Sequence, residues 1–359
     1  SMFFGRNEEE GLRCVYHGWK FDVTGACVDM PSEPAESNFR TKVRTKAYKT
    51  FERNGVIWAY MGPREVPPPV PELEGNMYTQ NYSISILYRA NNWMQGIEGE
   101  LDTIHAAFLH GGANQRAPSN PPVGSFQYYT KKSPEGKFSV RETEVGTSYG
   151  MYRPAEPDSY YWRIGHLLFP CFAMPPGAST LGEDSRFLAY VPMDDNNTLE
   201  WGIGIRSPQV QAAGGAGREY LPNTTDWHGR FVIEQNYQND FKIDREAQKN
   251  WKSYTGIEGI RQQDMAMTES MGRIYDRTSE HLGTTDSMII RTRRRYINAA
   301  KALRDHGITP PGVDSPKAYH QRSGQVILPR SLEWWDGTRE LREKFDALPP
   351  METAPIATS

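Results

Sequence analysis

Cysteine is scarce in this sequence: only Cys14, Cys27 and Cys171 occur in 359 residues. An odd number of widely separated cysteines argues against a disulfide framework and is typical of proteins of the reducing cytoplasm. An excess of charge of one sign is also missing, since 41 basic side chains are balanced by 44 acidic ones and leave a net charge of −3. Nucleic-acid-binding proteins usually carry a basic excess. We therefore predict a cytoplasmic protein without a nucleic-acid partner.

Long apolar runs are missing as well. No uninterrupted stretch approaches the ~20 residues that an α-helix needs to cross a bilayer, so no membrane partner is predicted. The most apolar segment, residues 164–174, contains His166 and Pro170 and is predicted to be a buried strand. The opening residues 1–10 have neither the basic start nor the apolar centre of a signal peptide.

A proline cluster divides the sequence into two predicted domains. Gly62-Pro63 is followed by Val66-Pro67-Pro68-Pro69-Val70-Pro71. Such a cluster cannot continue a helix or a central strand, so it marks a linker. The chain is also longer than one average domain requires. We predict domains at residues 1–62 and 63–359.

Short apolar runs bounded by turn residues predict mostly β-structure. The predicted strands are 12–16, 19–23, 26–30, 56–61, 82–88, 126–129, 138–143, 160–169, 187–191 and 199–205. Thr24-Gly25 is predicted to form the turn between two of them. Helices are predicted across 91–110, which lacks proline, and across 286–306, which ends at Gly307 and Pro310.

Cys14 and His17 form the first candidate metal site. They lie three positions apart in Cys14-Val15-Tyr16-His17-Gly18-Trp19, so a tight turn would let a thiolate and an imidazole reach one metal. The alternative is a free core cysteine beside a surface histidine.

His105 and His110 form the second candidate site, with Asp102 three residues before the first histidine. A spacing of five leaves two side chains off a common face of a regular α-helix, so binding one metal requires a π-bulge or an early unwinding of the helix. Asp102 and His105 fall on one helical face and can hydrogen-bond. The alternative is two unrelated histidines on a helix that buries its apolar residues.

These stretches resemble a known family. Residues 11–22 resemble the second half of a Rieske ferredoxin motif, and Asp102-x-x-His105-x-x-x-x-His110 resembles the signature of Rieske oxygenase catalytic domains. Segments 262–270 and 272–283 extend the likeness to the phthalate dioxygenase branch. On this resemblance the protein is identified as a catalytic (alpha) subunit of the Rieske non-haem iron ring-hydroxylating oxygenases.

The resemblance implies an α+β fold. An all-β Rieske [2Fe–2S] domain, N-terminally incomplete here, would precede a helix-grip (START-like) catalytic domain with an antiparallel sheet and a C-terminal helix. A Rieske cluster takes two Cys on one iron and two His on the other. Cys14 and His17 would supply one such pair, and the Cys-x-His of the other pair is expected in a segment before Ser1.

The resemblance also implies a mononuclear Fe(II) held by His105, His110 and Asp264, since two His and one carboxylate with open positions are common in oxygen-activating iron sites. Asp276 and Asp286 are alternatives for the carboxylate. Asp102 would orient His105 and carry electrons from His17 of a neighbouring subunit, which implies a homo-oligomer, a trimer or stacked trimers.

The implied activity is that of a terminal oxygenase. It would use O₂ and electrons from a separate flavin and iron–sulfur reductase, which oxidises NAD(P)H, to hydroxylate or O-dealkylate a small aromatic substrate, most simply an aromatic carboxylate. Alternatives are an oxygenase of neutral ethers or alcohols, a cluster-less helix-grip binding protein, and a zinc hydrolase. The candidate pocket residues are Tyr161, Arg163, His166, Phe169, Phe172 and Met174, and for each of them core packing is the favoured role. Members of this branch anchor aromatic carboxylates through arginines, and Arg163 and Arg186 are the candidates for that role here.

Overall fold

The computed structural model describes residues 2–34, 36–111, 120–205 and 219–347. The chain divides into two compact units, Ser1–Val70 and Pro71–Ala354. The division falls inside the proline-rich segment, and the domain limits given above stay a prediction.

The first unit is built from short antiparallel strands. Four of them pair in sequence order: β1 (Arg6–Glu8), β2 (Gly11–Arg13), β3 (Lys20–Phe21) and β4 (Cys27–Asp29). A hairpin follows, of β5 (Lys49–Arg53) and β6 (Val56–Tyr60). The predicted turn between β3 and β4 forms at Gly25, whose φ of +82° favours glycine.

The second unit contains an antiparallel sheet in the order β7-β13-β12-β11-β10-β9-β8, with β14 also paired to β10. Its strands are β7 (Tyr82–Arg89), β8 (Lys137–Thr143), β9 (Gly146–Pro154), β10 (Ser159–Leu168), β11 (Phe172–Met174), β12 (Phe187–Asp194), β13 (Asn197–Ile205) and β14 (Gly324–Pro329). Strands β9 and β14 were not predicted. The strand predicted at 126–129 is wrong, because Ser125 caps a helix there by accepting a hydrogen bond from Tyr128 N.

The α-helices of the described residues all lie in the second unit. They are α1 (Trp93–Leu101), α2 (Phe126–Lys132), α3 (Arg245–Lys249), α4 (Ile260–Ser270), α5 (Ser287–His306), α6 (Trp334–Gly337) and α7 (Arg339–Arg342). The predicted helix 286–306 is confirmed as α5, and Gly307 ends it in the left-handed conformation. Within the described ranges, no helix combines the length and the apolar character that crossing a membrane requires.

Helices α1 and α5 pack on one face of this sheet. Ile97 and Leu101 of α1 and Met288 and Ile289 of α5 share a buried cluster with the sheet residues Tyr149, Met151, Leu167, Ala173, Leu188 and Tyr190. Gly96 allows α1 to approach the sheet closely, since a Cβ at this position would overlap the Tyr190 ring. This packing fixes the end of α1, where the candidate site begins.

Candidate metal centre

Helix α1 does not continue to His110, so the prediction of one helix across 91–110 is wrong. Asp102 ends α1 with extended backbone angles, and a π-helix spans Ala106–His110 with His105 at its N-cap. Its wide turn is closed by a hydrogen bond of 3.0 Å from Gly111 N to Ala106 O, five residues apart. The spacing of the two histidines predicted such a distortion, and the wider turn brings residues five apart closer to one face.

The structure brings His105, His110 and Asp264 together. The two Nε2 atoms are 3.2 Å apart. Asp264, on the first half of α4, places Oδ1 3.0 Å from His110 Nε2 and 3.5 Å from His105 Nε2. The alternatives Asp276 and Asp286 lie elsewhere: Asp276 caps residues 277–279, and Asp286 accepts a hydrogen bond from Gly283 N.

The three donor atoms have the chemistry and the spacing that one metal ion requires. Metal bonds to His nitrogen and carboxylate oxygen are about 2.0–2.2 Å long, so ligands at roughly right angles lie about 3 Å apart, as these do. Among the described residues, this is the one group of three or more His, Cys, Asp or Glu side chains that can hold a metal ion. The residues present therefore fit a two-His-one-carboxylate centre.

The electrostatics of the site also favour a cation. Burial alone would lower the pKa of His105, but hydrogen bonds to Asp102 and Asp264 raise that pKa to about 10. Burial would likewise raise the pKa of the Asp264 carboxyl, yet hydrogen bonds from His105 and His110 hold it far below its usual range. A positive charge between these groups is strongly stabilised, whether a proton or a metal ion supplies it.

Each imidazole has a partner for its outer nitrogen. His105 Nδ1 lies 3.3 Å from Asp102 Oδ2, the contact that the sequence predicted. His110 Nδ1 lies 2.8 Å from Gln263 Oε1. The sequence reasoning missed Gln263, although its place directly before Asp264 was the available signal.

In the first unit, Cys14 and His17 lie on one turn. Cys14 N donates to Trp19 O at 2.8 Å, and Gly18 N donates to Cys14 O at 2.9 Å. Backbone hydrogen bonds from Tyr16 and His17 lower the pKa of the Cys14 thiol, although its slight burial opposes them, which favours the thiolate that binds iron. These two residues can supply one Cys–His pair, which is half the ligand set of a Rieske cluster.

Comparison with known proteins identifies both units. Residues 2–51 match the Rieske [2Fe-2S] domain family, and residues 59–354 match the family described as "LigXa C-terminal domain like". The chain is 42% identical to the 3-chlorobenzoate-3,4-dioxygenase oxygenase subunit of Comamonas testosteroni, over 93% of this chain and 80% of that protein. This chain is a Rieske oxygenase. It is also 34% identical to the phthalate 4,5-dioxygenase oxygenase subunit of Pseudomonas putida, over 94% of this chain and 77% of that one.

A solved structure shares the fold of the oxygenase. Dicamba monooxygenase bound to 3,6-dichlorosalicylic acid superposes with a TM-score of 0.52 at 15% identity, covering 85% of this chain and 84% of that one. The fold prediction, a Rieske domain plus a catalytic domain with an antiparallel sheet, is confirmed, and so is the recognition of the phthalate dioxygenase-like branch.

A buried charge network in the oxygenase supports the helix that carries Asp264. Arg261 pairs with Glu100 and lies 3.9 Å from Asp264 Oδ2. Arg89 pairs with Glu200 and donates to Thr268 Oγ1 at 2.8 Å. Because both arginines join α4 to its neighbours, they fix α4 against α1 and the sheet.

The candidate pocket residues differ in their surroundings. His166 is a neutral core histidine: Nε2 donates to Arg322 O at 3.0 Å, Nδ1 accepts from Ser148 Oγ at 2.8 Å, and burial lowers its pKa to about 3. Arg186 is half-buried beside Asp184. The aromatic and methionine candidates are all buried, namely Tyr161, Phe169, Phe172 and Met174. Arg163 is buried as well, and its Nε donates to Thr103 Oγ1 at 2.8 Å.

Proposed function

We propose that this Rieske oxygenase hydroxylates or O-dealkylates an aromatic carboxylate, using O₂ and electrons from a separate NAD(P)H-oxidising reductase. The single observation that carries the substrate class is Arg153, a buried arginine whose guanidinium is only partly satisfied: Nη2 donates to Met151 Sδ at 3.6 Å, and Glu135 is an acid whose charge favours the guanidinium. Its guanidinium Nε and Nη1 have no hydrogen-bond partner among the described residues, although the side chain is only 1% exposed. A buried charge is expensive unless it is paired, so an anion is the expected occupant beside it.

Arg153 lies on the face of the sheet that α1 covers. Tyr161 stands opposite Arg153 in the β9–β10 pairing, and Arg163 stands opposite Met151. Since alternate residues of a strand share a face, Tyr149, Met151 and Arg153 point to the same side. Met151 is packed with Ile104, and Arg163 contacts Thr103, so this face reaches the residues just before His105.

The two arginines repel each other in the absence of an anion. Burial, together with the charge of Arg163, lowers the pKa of Arg153 to about 10. A substrate carboxylate would remove this repulsion and satisfy the two free guanidinium nitrogens, which favour a planar, two-oxygen partner. The nearby ring of Phe126 stacks under Arg163, 4.4 Å from its guanidinium carbon. An aromatic acid therefore suits both the charge and the surfaces of this region.

The proposed roles of the metal-site residues follow from their chemistry. His105, His110 and Asp264 would hold Fe(II), which supplies open positions for O₂ beside the substrate. Asp102 keeps the outer nitrogen of His105 hydrogen-bonded and lies where electrons would arrive from a cluster of another subunit. This role rests on the family resemblance, as do the ring-shaped homo-oligomer and the flavin and iron–sulfur reductase. Both relatives are named oxygenase subunits, which supports dependence on further components.

The test compares binding of 3-chlorobenzoate and of the neutral 3-chlorobenzamide by calorimetry, for the unchanged protein and for Arg153→Met. We expect the acid to bind at least 10-fold more weakly to the variant, because hydrogen bonds to charged groups contribute about 1.5–3 kcal/mol. The amide should change little. Arg141→Met, which removes an exposed arginine paired to Glu333, is the control. Equal loss for acid and amide would reject the carboxylate assignment and favour a neutral ether or alcohol.

A metal measurement separates the alternative classes. Iron with a Rieske signal in absorption and EPR spectra supports the oxygenase, zinc alone supports a hydrolase, and a protein without any metal supports a binding role. O₂ uptake with a matched reductase then follows turnover of the acid.

A further inference from the structure

The two histidines of the candidate metal centre differ in their outer partners. His105 Nδ1 faces the carboxylate of Asp102 at 3.3 Å, whereas His110 Nδ1 faces the amide oxygen of Gln263 at 2.8 Å. A metal-bound imidazole needs such an acceptor, because the acceptor fixes the proton on the outer nitrogen and holds the ring in place. The partner of His110 is neutral, and its own surroundings decide which end of the amide it presents.

The orientation of the Gln263 amide is fixed by two further contacts. Its Nε2 donates to Ile257 O at 2.9 Å and to Thr255 Oγ1 at 3.1 Å. The Thr255 hydroxyl itself donates to Ile257 O at 3.0 Å. Since a backbone carbonyl can only accept, the NH₂ end of Gln263 must face Ile257. Its oxygen therefore faces His110.

This orientation determines the tautomer of His110. The amide oxygen can only accept, so His110 Nδ1 carries a proton, and Nε2 is the ring atom that can offer its lone pair to a metal. That Nε2 is the atom 3.0 Å from Asp264 Oδ1 and 3.2 Å from His105 Nε2. The ring is thus prepared for a metal by contacts that the protein makes on its own.

We propose that Gln263 is a positioning residue that prepares His110 to bind the metal, an inference that rests on the metal centre of the proposed function. Gln263 and Asp264 are consecutive residues of α4, so one helical turn supplies both the carboxylate ligand and the support for the opposite ligand. The neutral amide also suits the charge of the site. Asp102 and Asp264 already balance the two charges of a ferrous ion, and the second imidazole needs an acceptor rather than a third acid.

The test measures ferrous iron affinity by competition with a coloured chelator in the cluster-containing protein. Gln263→Leu should weaken iron binding by about 10–100-fold, the usual cost of losing an outer partner of a metal ligand. Gln263→Glu keeps an acceptor for Nδ1–H and should bind iron far more tightly than the leucine variant. The absorption of the Rieske cluster should be the same in the unchanged protein and in both Gln263 variants.

Gln95→Leu is the matched control. Gln95 is a buried glutamine of α1 that also uses both ends of its amide, donating to Thr268 O and Gly272 O and accepting from Tyr275 N, without contacting a histidine. Its loss should lower the thermal unfolding midpoint without a comparable change in iron affinity. Equal weakening by the two leucine variants would reduce Gln263 to a packing role and overturn the proposal.

A second readout follows the tautomer directly. In the cobalt(II)-substituted protein, the Nδ1–H protons of two bound imidazoles give two hyperfine-shifted NMR signals that exchange with solvent. In Gln263→Leu one of them should be lost through faster exchange, and it should persist in Gln263→Glu. If the unchanged protein binds no ferrous ion, the proposed function itself fails. If it binds iron and Gln263→Leu matches it in affinity and spectrum, only the inference about Gln263 fails.

Discussion

The two regions that carry the candidate metal ligands are constructed differently. In the Rieske unit, Cys14 and His17 lie three residues apart on one exposed turn, held by hydrogen bonds within residues 14–19. In the catalytic unit, His105 and His110 depend on the break after α1 and on a π-helix, and Asp264 arrives from the distant helix α4. The first region is a local motif, whereas the second exists only when the sheet, α1 and α4 have packed. Variants should therefore affect the two metal sites separately.

The largest effect is expected for Asp264→Ala. Removing the carboxylate should abolish iron binding at the catalytic centre and with it O₂-dependent turnover, because two imidazoles alone lack the anionic ligand of this site. Iron analysis should show the loss, while the absorption and EPR spectra of the Rieske cluster stay unchanged. Asp276→Ala, which removes only an exposed helix cap, should keep iron and activity. Retention of mononuclear iron by Asp264→Ala would break the assignment.

Asp102→Asn should have the next largest effect. The amide keeps the shape of the side chain but loses the negative charge 3.3 Å from His105 Nδ1, and changes of this kind typically reduce activity by about 10–100-fold or more. Both metal centres should remain loaded. Rapid-mixing measurements should show slow oxidation of the reduced cluster. A normal oxidation rate would contradict the role of Asp102 in electron transfer and leave it only a structural contact of His105.

The same contrast explains what the sequence could predict. Cys14 and His17 are separated by so few residues that a single turn defines them, and the spacing of His105 and His110 requires a distorted helix that the structure contains. Gln263 could not be assigned, because its role depends on Thr255 and Ile257 fixing the amide after folding. The incomplete hydrogen bonding of the Arg153 guanidinium was equally hidden. Only the packed sheet shows that its Nε and Nη1 find no hydrogen-bond partner among the described residues.

The secondary-structure errors have similarly local causes. Strand β9 (Gly146–Pro154) is almost entirely buried, so it lacks the polar–apolar alternation that marks a half-exposed strand. The sequence 126–129 is rich in aromatic residues that favour strands, but the Ser125 cap starts a helix there. Only the first half of α5 meets the core, and Leu303, in its second half, is 48% exposed.

Gly96→Ala should weaken the catalytic unit by a smaller amount. A Cβ at this position overlaps the Tyr190 ring, and overpacking of a buried contact costs about 1–3 kcal/mol. Gly99→Ala is the matched control on the same helix, because its nearest neighbour would be Thr268 Cγ2 at an ordinary 3.4 Å. It should be neutral or slightly stabilising, since alanine favours helix. Denaturant titration measures both. Equal destabilisation by the two variants would contradict the close packing of α1 at Gly96.

The smallest effect concerns His166. Burial lowers the pKa of this histidine to about 3. An unfolded chain protonates this histidine near its ordinary pKa of about 6.5, so between pH 6.5 and 3 the unfolded state binds a proton that the folded state does not. The free energy of unfolding should therefore fall as the pH drops through this window, by at most about 1.4 kcal/mol per pH unit from this residue. His166→Gln cannot titrate, so its free energy of unfolding should depend less on pH than that of the unchanged protein. Denaturant titrations at pH 7.5 and 5.5 measure this difference, even if the variant is less stable at both pH values. Parallel curves would mean that folding does not lower the pKa of His166.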